Sequence, residues 1–108
     1  ICYGENEFTV QAEGWQDYTV KYDAIDSIVC EENMFRDTNT IRTNGFGNLK
    51  YSMGHFRDEI HGDYIRYTHN DCDTYVVMTV DGGSVIINGT DDAQTREIYD
   101  NIRERIDK

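Results

Sequence analysis

Tyr75-Val76-Val77-Met78-Thr79-Val80, then Asp81-Gly82-Gly83, then Ser84-Val85-Ile86-Ile87-Asn88: this stretch decides the fold. Its first run is β-branched and aromatic at successive positions, which predicts a strand that is apolar on both faces. Asp81-Gly82-Gly83 is a turn in which glycine provides the positive φ of a tight hairpin. Residues 84–88 return as the second strand, and Gly89-Thr90 ends it. A helix is expected from Asp91 to the end. The Asp91 carboxylate is placed to cap the first amides, and Gln94, three residues on, to reach back. Thr95, Ile98, Tyr99, Ile102 and Ile106 follow the helical period and form one apolar stripe. Asp91 and Asp92 lie at the positive end of the helix dipole, and Arg103, Arg105 and Lys108 at the negative end. Such a stripe requires a surface to cover, and the strands upstream are what the chain offers.

Those strands are short and closely punctuated. Phe8-Thr9-Val10-Gln11-Ala12 and Tyr18-Thr19-Val20-Lys21-Tyr22 alternate and form a hairpin about a turn that contains Trp15. After a link at 23–26, Ser27-Ile28-Val29-Cys30-Glu31 reads as a third strand, followed by a polar loop to Asn39. Thr40-Ile41-Arg42-Thr43 is a brief fourth strand, and Asn44-Gly45-Phe46-Gly47-Asn48 reads as a turn. Residues 49–60 predict one long strand bent at Gly54, and Tyr64-Ile65-Arg66-Tyr67-Thr68 the next. The total is about seven strands and one helix, which implies a mainly β, mostly antiparallel barrel or sandwich closed by the C-terminal helix. One helix is too few for an α/β fold.

This order resembles that of bacterial pleckstrin-homology-like (PH-like) domains, of the kind found in membrane-associated bacterial proteins. The likeness is carried by Tyr22-Asp23-Ala24-Ile25-Asp26-Ser27-Ile28, by Arg42-Thr43-Asn44-Gly45-Phe46-Gly47 with Gly54-His55-Phe56, by Tyr75 through Gly82, and by Asn88-Gly89-Thr90-Asp91-Asp92. It extends over most of the chain from Phe8. The resemblance implies a non-enzymatic scaffold that acts as an interaction or regulatory module. Lipid-binding PH domains use a basic first hairpin loop. Here that loop, 12–17, carries Glu13 and Asp17 and no Lys or Arg, so the expected partner is a protein, or a second copy of the chain, rather than a phosphoinositide.

A chain of 108 residues reads as a single domain, 1–108, with one core. It begins Ile1-Cys2-Tyr3 without Met, which suggests a piece excised or processed from a longer protein. Twenty-one acidic side chains against ten basic ones give a net charge of −11. That field repels phosphate, so neither nucleic acid nor anionic lipid is expected as a partner. Cys2, Cys30 and Cys72 are odd in number and widely spaced. Reduced thiols in the cytoplasm are favoured, the alternative being one bridge and a free thiol outside the cell. No run approaches the ~20 apolar residues of a membrane span. The expected setting is therefore cytoplasmic, with any membrane tether outside this chain.

Reactive constellations are weak. His55, His61, His69 and Cys72 lack zinc-site spacing, and no local signature pairs a Cys with a His. Gly45-Phe46-Gly47 lacks the lysine and the helix of a phosphate loop. Asp71-Cys72-Asp73 lacks the glycine and bidentate Glu of a calcium loop, and Asp58-Glu59 point to opposite faces of a strand. No catalytic residue, metal ligand or cofactor is expected. The candidate partner-binding residues are Met34 and Phe35, an apolar pair inside the charged segment 31–37, with Phe46 on the following turn. The rival reading is a small-ligand barrel or an enzyme with its site in the barrel mouth. A second rival is an extracellular adhesion or stalk module. A barrel filled by Tyr18, Val20, Tyr22, Val76, Met78 and Val80 favours the interaction module over a carrier.

Overall fold

Alternation and turn chemistry divide the described residues into nine strands and one α-helix, with the strands in two sheets. The computed structural model describes residues 1–11, 16–33, 41–47, 51–58 and 62–106, with backbone alone for 41–52 (where described) and 58. β1 (Cys2–Tyr3), β2 (Glu7–Val10) and β3 (Tyr18–Lys21) form a small antiparallel sheet. A 3-10 turn, Tyr22–Ala24, leads into β4 (Ile25–Glu32). β5 (Ile41–Gly47), β6 (Tyr51–Asp58), β7 (Gly62–His69), β8 (Thr74–Val80) and β9 (Gly83–Ile87) follow, and then α1 (Asp92–Ile106). β4 to β9 make one six-stranded sheet in the order β4-β8-β9-β7-β6-β5.

The hairpin expected at 75–88 is present. Asp81 and Gly82 both have positive φ, 51° and 84°, the pair that a two-residue turn between twisted strands requires. β8 is apolar on both faces because it lies inside the large sheet with a cluster on each side. On one face Met53, Tyr67, Val76, Met78, Val85 and Ile87 pack with Phe8, Val10, Val20 and Tyr22 of the small sheet side and with Ile98 and Ile102 of α1. On the other face Phe56, Tyr64, Tyr75 and Ile86 form a second buried cluster. The guanidinium of Arg66 lies 5.8 Å from the ring centres of both Phe56 and Tyr75, and its Nε donates to Thr68 Oγ1 at 2.6 Å. A planar cation over two π faces satisfies a charge that burial would otherwise penalise.

Several sequence expectations need correction. Among the described residues the sheets do not close into a barrel, and β7 and β9 run parallel. After β7 the chain arches over the end of β9 and descends as β8, and β9 then returns between the two. Pairing between strands that are not consecutive leaves no trace in local alternation. The turn expected at 44–48 is strand through Gly47: Gly45 pairs with Gly54, Phe46 with Met53 and Gly47 with Ser52, with a bulge between Arg42 and Asn44. Glycine there sits against glycine across the ladder, so it marks an irregular strand rather than its end. β4 begins at Ile25, inside the expected link, and β1 was too short to signal itself.

Candidate interaction groove

β4 is an edge of the large sheet. It pairs with β8 on one side, and among the described residues no strand pairs with its other side. The period of two divides its side chains. Ile28, Cys30 and Glu32 stand opposite Met78, Val76 and Thr74, on the face that α1 covers. Ser27, Val29 and Glu31 stand opposite Thr79, Val77 and Tyr75, on the other face. Ser27 Oγ donates to Thr79 Oγ1 at 3.0 Å. Val29 is 47% exposed, the large apolar side chain left open among the described residues.

The helix forms the second wall. Asp91 Oδ1 accepts from Gln94 N at 2.8 Å, and Gln94 Oε1 accepts from Thr90 N at 2.7 Å, which caps α1 as the sequence suggested. Thr95, Ile98 and Ile102 are buried and fix the helix's rotation. That rotation presents Arg96, Tyr99, Asp100 and Arg103 toward the β4 edge, and with Ile28, Val29 and Cys30 they line an open groove. The groove's cations are engaged locally. Arg96 pairs with Asp92 at 3.0 Å and with Glu32 of β4. Arg103 Nη1 donates to Tyr99 Oη at 2.7 Å. Burial pushes the Cys30 thiol up, against the pull of Arg96, so it is a poor nucleophile.

No family model, curated protein or solved structure matches the chain. The reading of this surface therefore rests on its geometry.

A second feature lies between the sheets near the start of α1. A cavity of about 350 Å³ is lined by Tyr3, Val10, Met53, Tyr67, His69, Asn88, Gln94, Glu97 and neighbours. Burial holds the His69 imidazole below its usual pKa, with Asp71 opposing. Cys72, buried next to this wall, donates toward the Thr74 carbonyl at 3.5 Å and lies 3.5 Å from Thr95 Oγ1. Its neighbours are a carbonyl and a hydroxyl, a structural setting for a thiol.

Met34 and Phe35 lie outside the described residues, as do Trp15 and His61. Phe46 is described in backbone only, within β5 opposite Met53 rather than on a turn. Among the described residues no three His, Cys, Asp or Glu come together as a metal site. Val29 was missed by the sequence reading. Ile28-Val29-Cys30 looks like strand interior, and what exposes Val29 is that β4 is an edge, which its own residues do not reveal. The three cysteines form no disulfide: Cys2 is exposed, Cys30 half-buried and Cys72 buried. Among the described residues no helix is long and apolar enough to cross a membrane.

Proposed function

We propose that this chain is a non-enzymatic interaction module on a PH-like frame, and that it takes an extended segment of a protein partner along β4, beside α1. The observation that carries this reading is the outer edge of β4, unpaired among the described residues, with Val29 exposed on it. An open edge offers a row of backbone donors and acceptors, and an added strand satisfies them while flanking side chains set specificity. Met34 and Phe35, the apolar pair expected from the sequence to bind a partner, follow β4 within three residues in sequence. The PH-like reading draws support from a strand-rich chain ended by one helix whose apolar stripe covers the sheets. The parallel β7–β9 pair is a departure from a plain antiparallel order. A cytoplasmic setting, with any tether elsewhere in a longer protein, suits three unbridged thiols.

The test is selection of peptides from a random display library on the domain. Selected peptides are expected to slow amide exchange along β4 and to lose binding to Val29→Lys, whose melting midpoint stays unchanged. Undiminished binding to that variant, with protection elsewhere, overturns the reading. The rival, a small-ligand carrier, is favoured by the cavity between the sheets, whose volume falls at the low end for ligand pockets. It predicts that filling the cavity with Ile98→Phe abolishes small-molecule shifts at Tyr67 and His69 and leaves β4 unaffected.

A further inference from the structure

If β4 receives a strand, the charges beside that edge determine which strands it accepts, and this inference rests on the docking reading above. Arg96 is neutralised by Asp92 and Glu32. Among the described residues Asp26 and Glu31 on β4 and Asp100 on α1 show no ion-pair partner. Glu31 lies two residues from the exposed Val29, on the same face of the strand. A strand added at the usual ~4.8 Å spacing places its own i and i+2 side chains abreast of these two.

The geometry points to a basic extended segment as the partner: an apolar residue abreast of Val29, with a lysine or arginine two residues away, abreast of Glu31. The opposite face of such a strand passes Tyr99 and Asp100, where an aromatic or aliphatic residue and a second cation fit. An acidic segment meets three unneutralised carboxylates, and the −11 net charge repels it before contact. A second copy of this chain is a poor occupant for the same reason. Antiparallel self-pairing about Val29 sets Asp26 abreast of Glu32 at both ends, and parallel pairing in register sets Glu31 against Glu31.

Two peptides separate the possibilities, one repeating Val-Thr-Lys-Thr and one repeating Val-Thr-Glu-Thr, each titrated into the isotopically labelled protein at ~0.15 M salt. The lysine peptide is expected to bind roughly tenfold more tightly and to slow exchange of the β4 amides. Glu31→Lys is expected to weaken the lysine peptide and strengthen the glutamate peptide. If both peptides protect β4 equally, the edge takes a strand but the basic class is wrong. If neither protects β4, the docking reading itself fails. If the lysine peptide shifts amides scattered over the surface without protecting β4, the attraction is unspecific charge and the inference is overturned.

Discussion

The Asn88 side chain grips the His69 backbone from both ends. Its Oδ1 accepts from His69 N at 2.7 Å, and its Nδ2 donates to His69 O at 3.2 Å. The same Nδ2 donates to Cys72 O at 3.2 Å. Asn88 follows β9, and His69 and Cys72 bracket the arch by which β7 crosses to β8. One buried amide therefore holds the crossover that makes β7 and β9 parallel neighbours.

Asn88→Ala leaves these backbone groups without their side-chain partner in a buried place, a loss of roughly 2–4 kcal/mol. Asn88→Asp preserves the size but sets a carboxylate against two carbonyls, and should be at least as damaging. Denaturant melts measure both. A loss under ~0.5 kcal/mol for each would show that the arch does not depend on Asn88.

Ile102 is fully buried between α1 and the sheets. Ile102→Ala should lower stability by roughly 2–5 kcal/mol, because the cavity left behind cannot fully collapse. Tyr99→Ala, at a half-buried groove position, should cost much less. Comparable losses at the two positions would mean the helix is rotated from the orientation described.

Asp92 carries the acid sensitivity of the helix start. A hydrogen bond from the Thr74 hydroxyl at 2.6 Å, then one from Arg96, holds its pKa below the usual carboxylate value. A depressed folded pKa means the stabilisation is present above the unfolded value of about 3.9 and is lost as pH falls through the folded one. Asp92→Asn should therefore reduce stability at neutral pH and flatten the acid limb of the stability curve. Thr74→Val should shift that limb upward in pH. An unchanged acid limb in both variants, read by circular dichroism, would contradict the assignment.

Vesicles that contain phosphoinositide should not retain the protein in sedimentation. The net charge of −11 opposes anionic headgroups, and two of the described surface cations are paired with carboxylates, Arg57 with Asp63 at 2.7 Å and Arg96 with Asp92 and Glu32. Salt-sensitive binding in the micromolar range would refute this and weaken the case for a protein partner.

Sequence alone determined the elements whose signals are local. The capped helix with its Thr95–Ile98–Ile102 stripe, the Asp81-Gly82 turn and the doubly apolar β8 all follow from spacing within a few residues, because each satisfies its own backbone or faces nearby groups. Tertiary structure decided the rest. Whether β9 lies beside β7 or beyond it, whether Gly45 ends a strand or pairs with Gly54, and whether Val29 is core or edge depend on which distant strand supplies the partner. Side-chain period records how many faces of a strand are covered, but not how many of its edges are. The candidate groove is an edge property, and so it became visible only once the strand order was known.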